Sequence, residues 1–125
     1  MYIVLVIVVV LIVAWFLFMR PSGKGIRNIS TDDLAEMLKD KNGRSFVDVR
    51  EPHEYAGGHV AGMKNIPLTR LSSRFSELPK DNEVVVMCRS GHRSMMAAKQ
   101  LKKAGYQNVV NVVGGMGAWH GKVSK

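Results

Sequence analysis

Glu83-Val84-Val85-Val86-Met87-Cys88-Arg89-Ser90-Gly91-His92-Arg93-Ser94-Met95-Met96-Ala97-Ala98 runs from apolar β-formers through a short polar loop into residues at helical spacing. The unbroken run Glu83 to Met87 predicts a strand buried on both faces, as in a parallel sheet. Ser94 to Ala104 carries Met95, Met96, Ala97, Ala98 and Leu101, and stops at Gly105, a residue type favoured just past a helix end. A strand fed into a helix by a short loop is the unit of an α/β layer fold, whose ligands sit outside the carboxyl ends of the strands. Cys88, the single cysteine of the chain, stands at such an end.

The loop Cys88-Arg89-Ser90-Gly91-His92-Arg93-Ser94 carries the chemistry. A short loop feeding a helix N-terminus turns successive backbone N–H groups inward, and that nest, with the helix dipole, stabilises an anion or a thiolate. Arg89, Arg93 and His92 add positive charge, so the Cys88 pKa is expected below the free-thiol value of about 8.5. The competing reading is an ordinary core cysteine at a strand end. A core cysteine, however, has no need of two arginines, a histidine and a glycine within five residues.

Outward from the loop, Ser30 with Asp33 ahead of Leu34, Met37 and Leu38 is an N-cap signature, giving a helix over Thr31 to Asp40 closed by Lys41-Asn42-Gly43. Phe46 to Val49 reads as a second inner strand. The middle is turn-rich, with Gly57-Gly58, Gly62 and Pro67, and Arg70 to Glu77 reads as a short helix closed by Pro79. A strand over Val109 to Val113 and a glycine-rich turn into Gly117-Ala118-Trp119 complete the chain.

The chain has 125 residues, room for one domain of about 100 beyond its distinctive start. One cysteine excludes an intramolecular disulfide and every metal site built from several thiols. His53, His59, His92 and His120 have spacings that fit no common zinc pattern, so no metal is expected. The net charge of +8 favours anionic neighbours or is simply a solvated basic surface. Nucleic acid is disfavoured, because no run of basic residues interleaved with aromatics occurs.

From Met1 to Met19 every residue is apolar. At a rise of about 1.5 Å per residue such a helix approaches the thickness of a bilayer core, so residues 1–20 are expected to form a transmembrane helix. A cleaved signal peptide competes, but no basic stretch precedes the run and Trp15-Phe16-Leu17-Phe18-Met19 offers no small-residue cleavage site. Arg20, Lys24 and Arg27 follow the run, which predicts a single-pass protein with its domain facing the cytoplasm. Residues 21–27 read as a flexible tether, near anionic lipid, and residues 28–125 as the domain.

Three blocks in order resemble the rhodanese-like sulfurtransferases of the single-domain kind, over nearly all of residues 27–120. They are Val47-Asp48-Val49-Arg50-Glu51 with Glu54-Tyr55, Gly58-His59-Val60-Ala61-Gly62 and Asn65-Ile66-Pro67; the Cys88 loop; and Gly114-Gly115-Met116-Gly117-Ala118-Trp119. Met63, where the family more often has a small residue, is a minor departure. The resemblance implies a three-layer α/β fold with a mostly parallel central sheet flanked by helices. It also implies a persulfide mechanism in which Cys88 takes sulfur from a donor such as thiosulfate and yields it to cyanide, a thiol or a protein acceptor, with no cofactor.

Within that reading Arg89 faces the donor. Arg93 either anchors the loop through a buried carboxylate or binds the donor's oxyanion, the anchoring role being preferred. Ser90, Gly91 and Ser94 complete the anion-binding loop, with Gly91 at positive φ. His92 is a solvated spectator or assists proton transfer. Asp48 and Arg50 form a structural pair that Glu54 can join, and His59 and Trp119 pack. Two other functions compete: a catalytically idle docking module at the membrane, and a cysteine phosphatase or arsenate reductase. The latter pair place five residues between cysteine and arginine, whereas four separate Cys88 from Arg93.

Overall fold

The computed structural model describes residues 1–18 and 25–125. Helix α1 (Tyr2–Phe18) is followed by β1 (Ile26–Ile29), α2 (Thr31–Met37), β2 (Arg44–Asp48), α3 (Pro52–Ala56), β3 (His59–Val60), β4 (Lys64–Asn65), β5 (Glu83–Met87), α4 (His92–Lys103), β6 (Val109–Val112) and β7 (Val123–Ser124). Short 3₁₀ turns occupy Leu68–Arg70, Ser72–Glu77 and Gly115–Ala118.

Five strands form one parallel sheet in the order β1-β6-β5-β2-β4, and β3 pairs with β7 as a small antiparallel ribbon. Strand periodicity assigns the core to two faces. Val84, Val86 and Cys88 point with Val47, Val49 and Val109 towards Ala97, Ala98 and Leu101 of α4. Val85 and Met87 point with Phe46, Val110 and Val112 towards Leu34 and Met37 of α2. This is the layered α/β architecture with a buried parallel sheet that the apolar run of β5 demands.

Several elements differ from the sequence expectation. The helix read over Thr31 to Asp40 stops as an α-helix at Met37; its start carries the full Ser30–Asp33 capping box. The helix read over Arg70 to Glu77 is a pair of 3₁₀ turns kinked at Arg74. Helix α4 begins at His92, two residues before Ser94. Strand β1 begins at Ile26, inside the span read as tether; residues 21–24 of that tether lie outside the described residues.

The transmembrane helix expected over residues 1–20 is not carried by the described residues. Helix α1 has 17 residues, and no helix among the described residues is long and apolar enough to cross a membrane. At about 1.5 Å per residue α1 reaches about 26 Å, against a hydrocarbon core of about 30 Å. Met19 and Arg20 lie outside the described residues.

Candidate active site

Cys88 leaves the carboxyl end of the central strand β5 and is 1% exposed. The loop after it turns back because Gly91 adopts φ 104°, a left-handed conformation that an L side chain resists, and α4 starts at the next residue. The turn brings the Gly91 N–H to 3.0 Å from Cys88 Sγ, while Ser94 Oγ lies 3.4 Å from the same sulfur. Burial pushes the Cys88 thiol up. The Ser94 hydroxyl and the backbone N–H groups of Ser94, Gly91 and Ser90 outweigh burial and hold the thiol below its ordinary value. A depressed pKa at a helix N-terminus is the condition for a nucleophilic thiolate near neutral pH.

Two neighbours brace the cup. Arg93 makes a paired contact with Glu54 on α3, Nη1 to Oε1 at 2.6 Å and Nη2 to Oε2 at 3.0 Å. The Arg93 hydrogen bond holds the Glu54 carboxyl down to about 2. Arg93 therefore ties the start of α4 to the end of the preceding β-α unit. From the other side, the turn after β6 donates Met116 N–H to Cys88 O at 2.8 Å and Gly117 N–H to Arg89 O at 2.9 Å. Gly115, with φ 53°, lies so close to the Cys88 carbonyl that no side chain fits between them.

Behind this site Asp48 and Arg50 form a buried ion pair with Nη2 to Oδ2 at 2.8 Å. Arg50 also donates to the carbonyls of Gly58 at 2.9 Å and Glu54 at 3.3 Å, which fastens α3 and the following turn to β2. No buried nitrogen or oxygen of the pair lacks a hydrogen-bond partner, the condition under which a buried charge pair is tolerable. Glu54 joins this group through its backbone carbonyl, while its carboxylate serves Arg93. The His59 ring stacks on Tyr55 at 3.7 Å, and Trp119 packs against the α2 face of the core. Neither is a hydrogen-bond partner of the sulfur.

Arg89 borders an open cleft of about 470 Å³ together with Arg50, His53, Glu54, Met116 and Val123. His92, the first residue of α4, is exposed. Among the described residues no group of three His, Cys, Asp or Glu side chains could hold a metal ion.

The sequence model of the rhodanese-like domain matches residues 30–122. The chain belongs to the rhodanese-like domain family. A protein of Allochromatium vinosum named "Sulfurtransferase" is 39% identical over 94 residues, covering 75% of this chain and 88% of that protein. A Bacillus subtilis protein named "Putative sulfur carrier protein YrkF" is 37% identical over 112 residues; the match covers 84% of this chain but 60% of that longer protein. The crystal structure of a rhodanese-like domain protein from Staphylococcus aureus superimposes with a TM-score of 0.72 at 30% identity, covering 78% of this chain and 96% of that one. Its relatives thus include proteins named as a sulfurtransferase and as a sulfur carrier.

Sequence reasoning missed two features of the site. Glu54 is 39 residues from Arg93, so nothing local identifies it as the arginine's partner. Asn111 carries a signal that was there to be read: a lone amide inside Val109-Val110-Asn111-Val112-Val113, buried in β6, must have a buried partner. Its partner is Ser94, with Asn111 Oδ1 at 2.5 Å from Ser94 Oγ.

Proposed function

We propose that the domain moves sulfane sulfur from a donor such as thiosulfate to a thiophilic acceptor, cyanide or a thiol, through a persulfide on Cys88. The observation that carries this reading is the convergence of the Gly91 N–H and the Ser94 hydroxyl on Cys88 Sγ at the mouth of a helix. In the first step the thiolate attacks the outer sulfur of thiosulfate; an S–S bond forms, the donor's S–S bond breaks, and sulfite departs with the electron pair. In the second, cyanide carbon attacks the terminal sulfur, the persulfide bond breaks, and the thiolate is restored as thiocyanate leaves. No cofactor enters the balance. The inward N–H groups stabilise the anionic sulfur that begins and ends the cycle, and Arg89 at the cleft supplies positive charge for the donor's sulfonate.

A protein acceptor is equally consistent with this chemistry, and the name of the Bacillus subtilis relative supports a carrier role. A phosphatase reading is disfavoured because Arg93, the residue that would hold a phosphoryl group, is engaged by Glu54. No observation favours an idle docking module. The test is thiocyanate formation from thiosulfate and cyanide by the full chain in detergent, beside Cys88→Ser. Turnover abolished by that substitution supports the reading; turnover that survives it overturns the role of Cys88.

Membrane attachment belongs to the same proposal. Tyr2 to Leu17 are apolar and exposed all round, which suits a lipid environment, and the basic residues after the run favour a domain on the cytoplasmic side. Extraction of cell membranes with alkaline carbonate tests it: retention in the pellet is expected, and release into the supernatant would refute an anchor.

A further inference from the structure

A chain of hydrogen bonds runs from Cys88 to the edge of the sheet. Cys88 Sγ is 3.4 Å from Ser94 Oγ, Ser94 Oγ is 2.5 Å from Asn111 Oδ1, and Asn111 Nδ2 is 3.2 Å from Asn28 Oδ1. Ser94 and Asn111 are buried, whereas Asn28 is exposed on the edge strand β1. The level neighbours of Asn111 are Asn28 on β1 and Val86 on β5, so the amide has Ser94 and Asn28 as its side-chain partners.

The protons of this chain can be counted. With Cys88 as a thiol, S–H donates to Ser94 Oγ, the single Ser94 proton goes to Asn111 Oδ1 at 2.5 Å in preference to the Gly91 carbonyl at 3.2 Å, and Asn111 Nδ2 donates to Asn28 Oδ1. Each link has one donor and one acceptor. When sulfur loses its proton, the link to Ser94 survives only if the serine hydroxyl turns to donate to sulfur. Ser94 Oγ would then face Asn111 Oδ1 lone pair to lone pair at 2.5 Å, an unfavourable contact in a low-dielectric interior. A half-turn of the Asn111 amide exchanges its oxygen and nitrogen and removes the conflict, since Nδ2 then donates to Ser94 Oγ. The exposed Asn28 amide can reverse against water. Every link has then changed direction without any heavy-atom position being vacated.

We propose that Asn111 is a positioning residue for sulfur transfer: by reversing its amide it gives the Ser94 hydroxyl to Cys88 when the sulfur is anionic and withdraws it when the sulfur is protonated. Its relevance to turnover rests on the Cys88 sulfurtransferase reading, but the reversal itself requires only that Cys88 ionises. The charged and titratable groups of the loop and of the cleft that Arg89 borders are Arg93, held by Glu54, His92 on the first turn of α4, Arg89, His53 and Arg50, the last paired with Asp48. None of them is a link in the chain from Cys88 to Asn28.

The test uses the full chain, labelled with nitrogen-15, in detergent micelles. The Asn111 side-chain NH₂ resonance is followed with pH, beside the rate of Cys88 alkylation by iodoacetamide. The Asn111 signal is expected to shift with the midpoint of alkylation and to lose that dependence in Cys88→Ala. An Asn111 signal that stays flat through the Cys88 midpoint overturns the proposal. Asn111→Asp, an acceptor on both sides, pins the Ser94 proton away from sulfur and should raise the alkylation midpoint by about one pH unit, a tenfold loss of thiolate at fixed pH. In a Ser94→Ala background that shift should nearly vanish; a shift of full size there would mean that the carboxylate acts through its charge alone and would also overturn the proposal. Because these readouts do not involve sulfur transfer, a coupled Asn111 in a protein that forms no thiocyanate would refute the proposed function and leave this inference standing.

Discussion

Gly115→Ala tests whether the turn after β6 holds the sulfur cup in place. An added Cβ would overlap Cys88 O and lie 2.9 Å from both the carbonyl carbon and oxygen of Arg89. These are backbone atoms of the reactive loop, so relief requires either the loop or the turn to move. Alanine at φ 53° itself costs about 1–2 kcal/mol. Loss of the bonds from Met116 N–H and Gly117 N–H to the loop carbonyls costs about 1 kcal/mol each. The combined loss, on the order of 3–4 kcal/mol, is a large share of an ordinary domain's stability of about 5–15 kcal/mol. Displacing the loop by about 1 Å should also lower the rate of sulfur transfer on the order of a hundredfold. Gly43→Ala is the control: φ is positive there too, at 70°, but nothing lies within 4 Å of the new Cβ, so it should lose only the backbone cost of about 1–2 kcal/mol and no activity. Urea denaturation of both variants in detergent, followed by circular dichroism, and thiocyanate formation under folding conditions would decide. If Gly115→Ala is no less stable than Gly43→Ala and equally active, the turn does not brace the cup.

The Glu54 carboxyl is held at about 2 rather than 4.5 by its hydrogen bonds to Arg93. A depressed carboxyl stabilises the fold above the unfolded pKa and loses that contribution as pH falls from about 4.5 through 2. With Arg93 one-third exposed, solvent screening reduces the effect to on the order of 1–2 kcal/mol. Glu54→Gln should therefore lower the stability measured at pH 7 by that amount and flatten the acid limb of the stability profile; an unchanged acid limb would place the carboxylate outside the coupling. Arg89→Ala should raise the KM for thiosulfate severalfold while leaving discharge of a preloaded persulfide to cyanide little changed, and an unaltered KM would remove Arg89 from donor binding.

The fold was most legible where a local pattern and the burial it demands coincide. The Val84–Val86 run placed β5 and set Cys88 at its carboxyl end, and Ser30 with Asp33 placed the start of α2. Strand β1 was hidden because Ile26-Arg27-Asn28-Ile29 at a sheet edge turns two polar residues outward, and its pairing is with β6, some eighty residues away. Helix α3 is a single turn, too short for periodicity to register. The end of α2 was overextended because Leu38 continues the apolar spacing while the backbone has already left the α-helix. For the site, the loop composition pointed to a stabilised thiolate, but its braces are long-range. Glu54 reaches Arg93, and Gly115 reaches Cys88, only after the sheet has brought distant segments together.

The central claim is that Cys88 carries the transferred sulfur as a persulfide. Intact mass measurement of the full chain in detergent, after reductive pretreatment and incubation with thiosulfate, tests it directly, with Cys88→Ser in parallel. The account predicts the gain of one sulfur on the native chain, about 32 Da, lost on addition of cyanide and absent from the variant, as nucleophilic catalysis through a covalent intermediate requires. A folded native chain that gains no sulfur from thiosulfate or from a persulfide donor, or a variant that gains it equally, would contradict the claim.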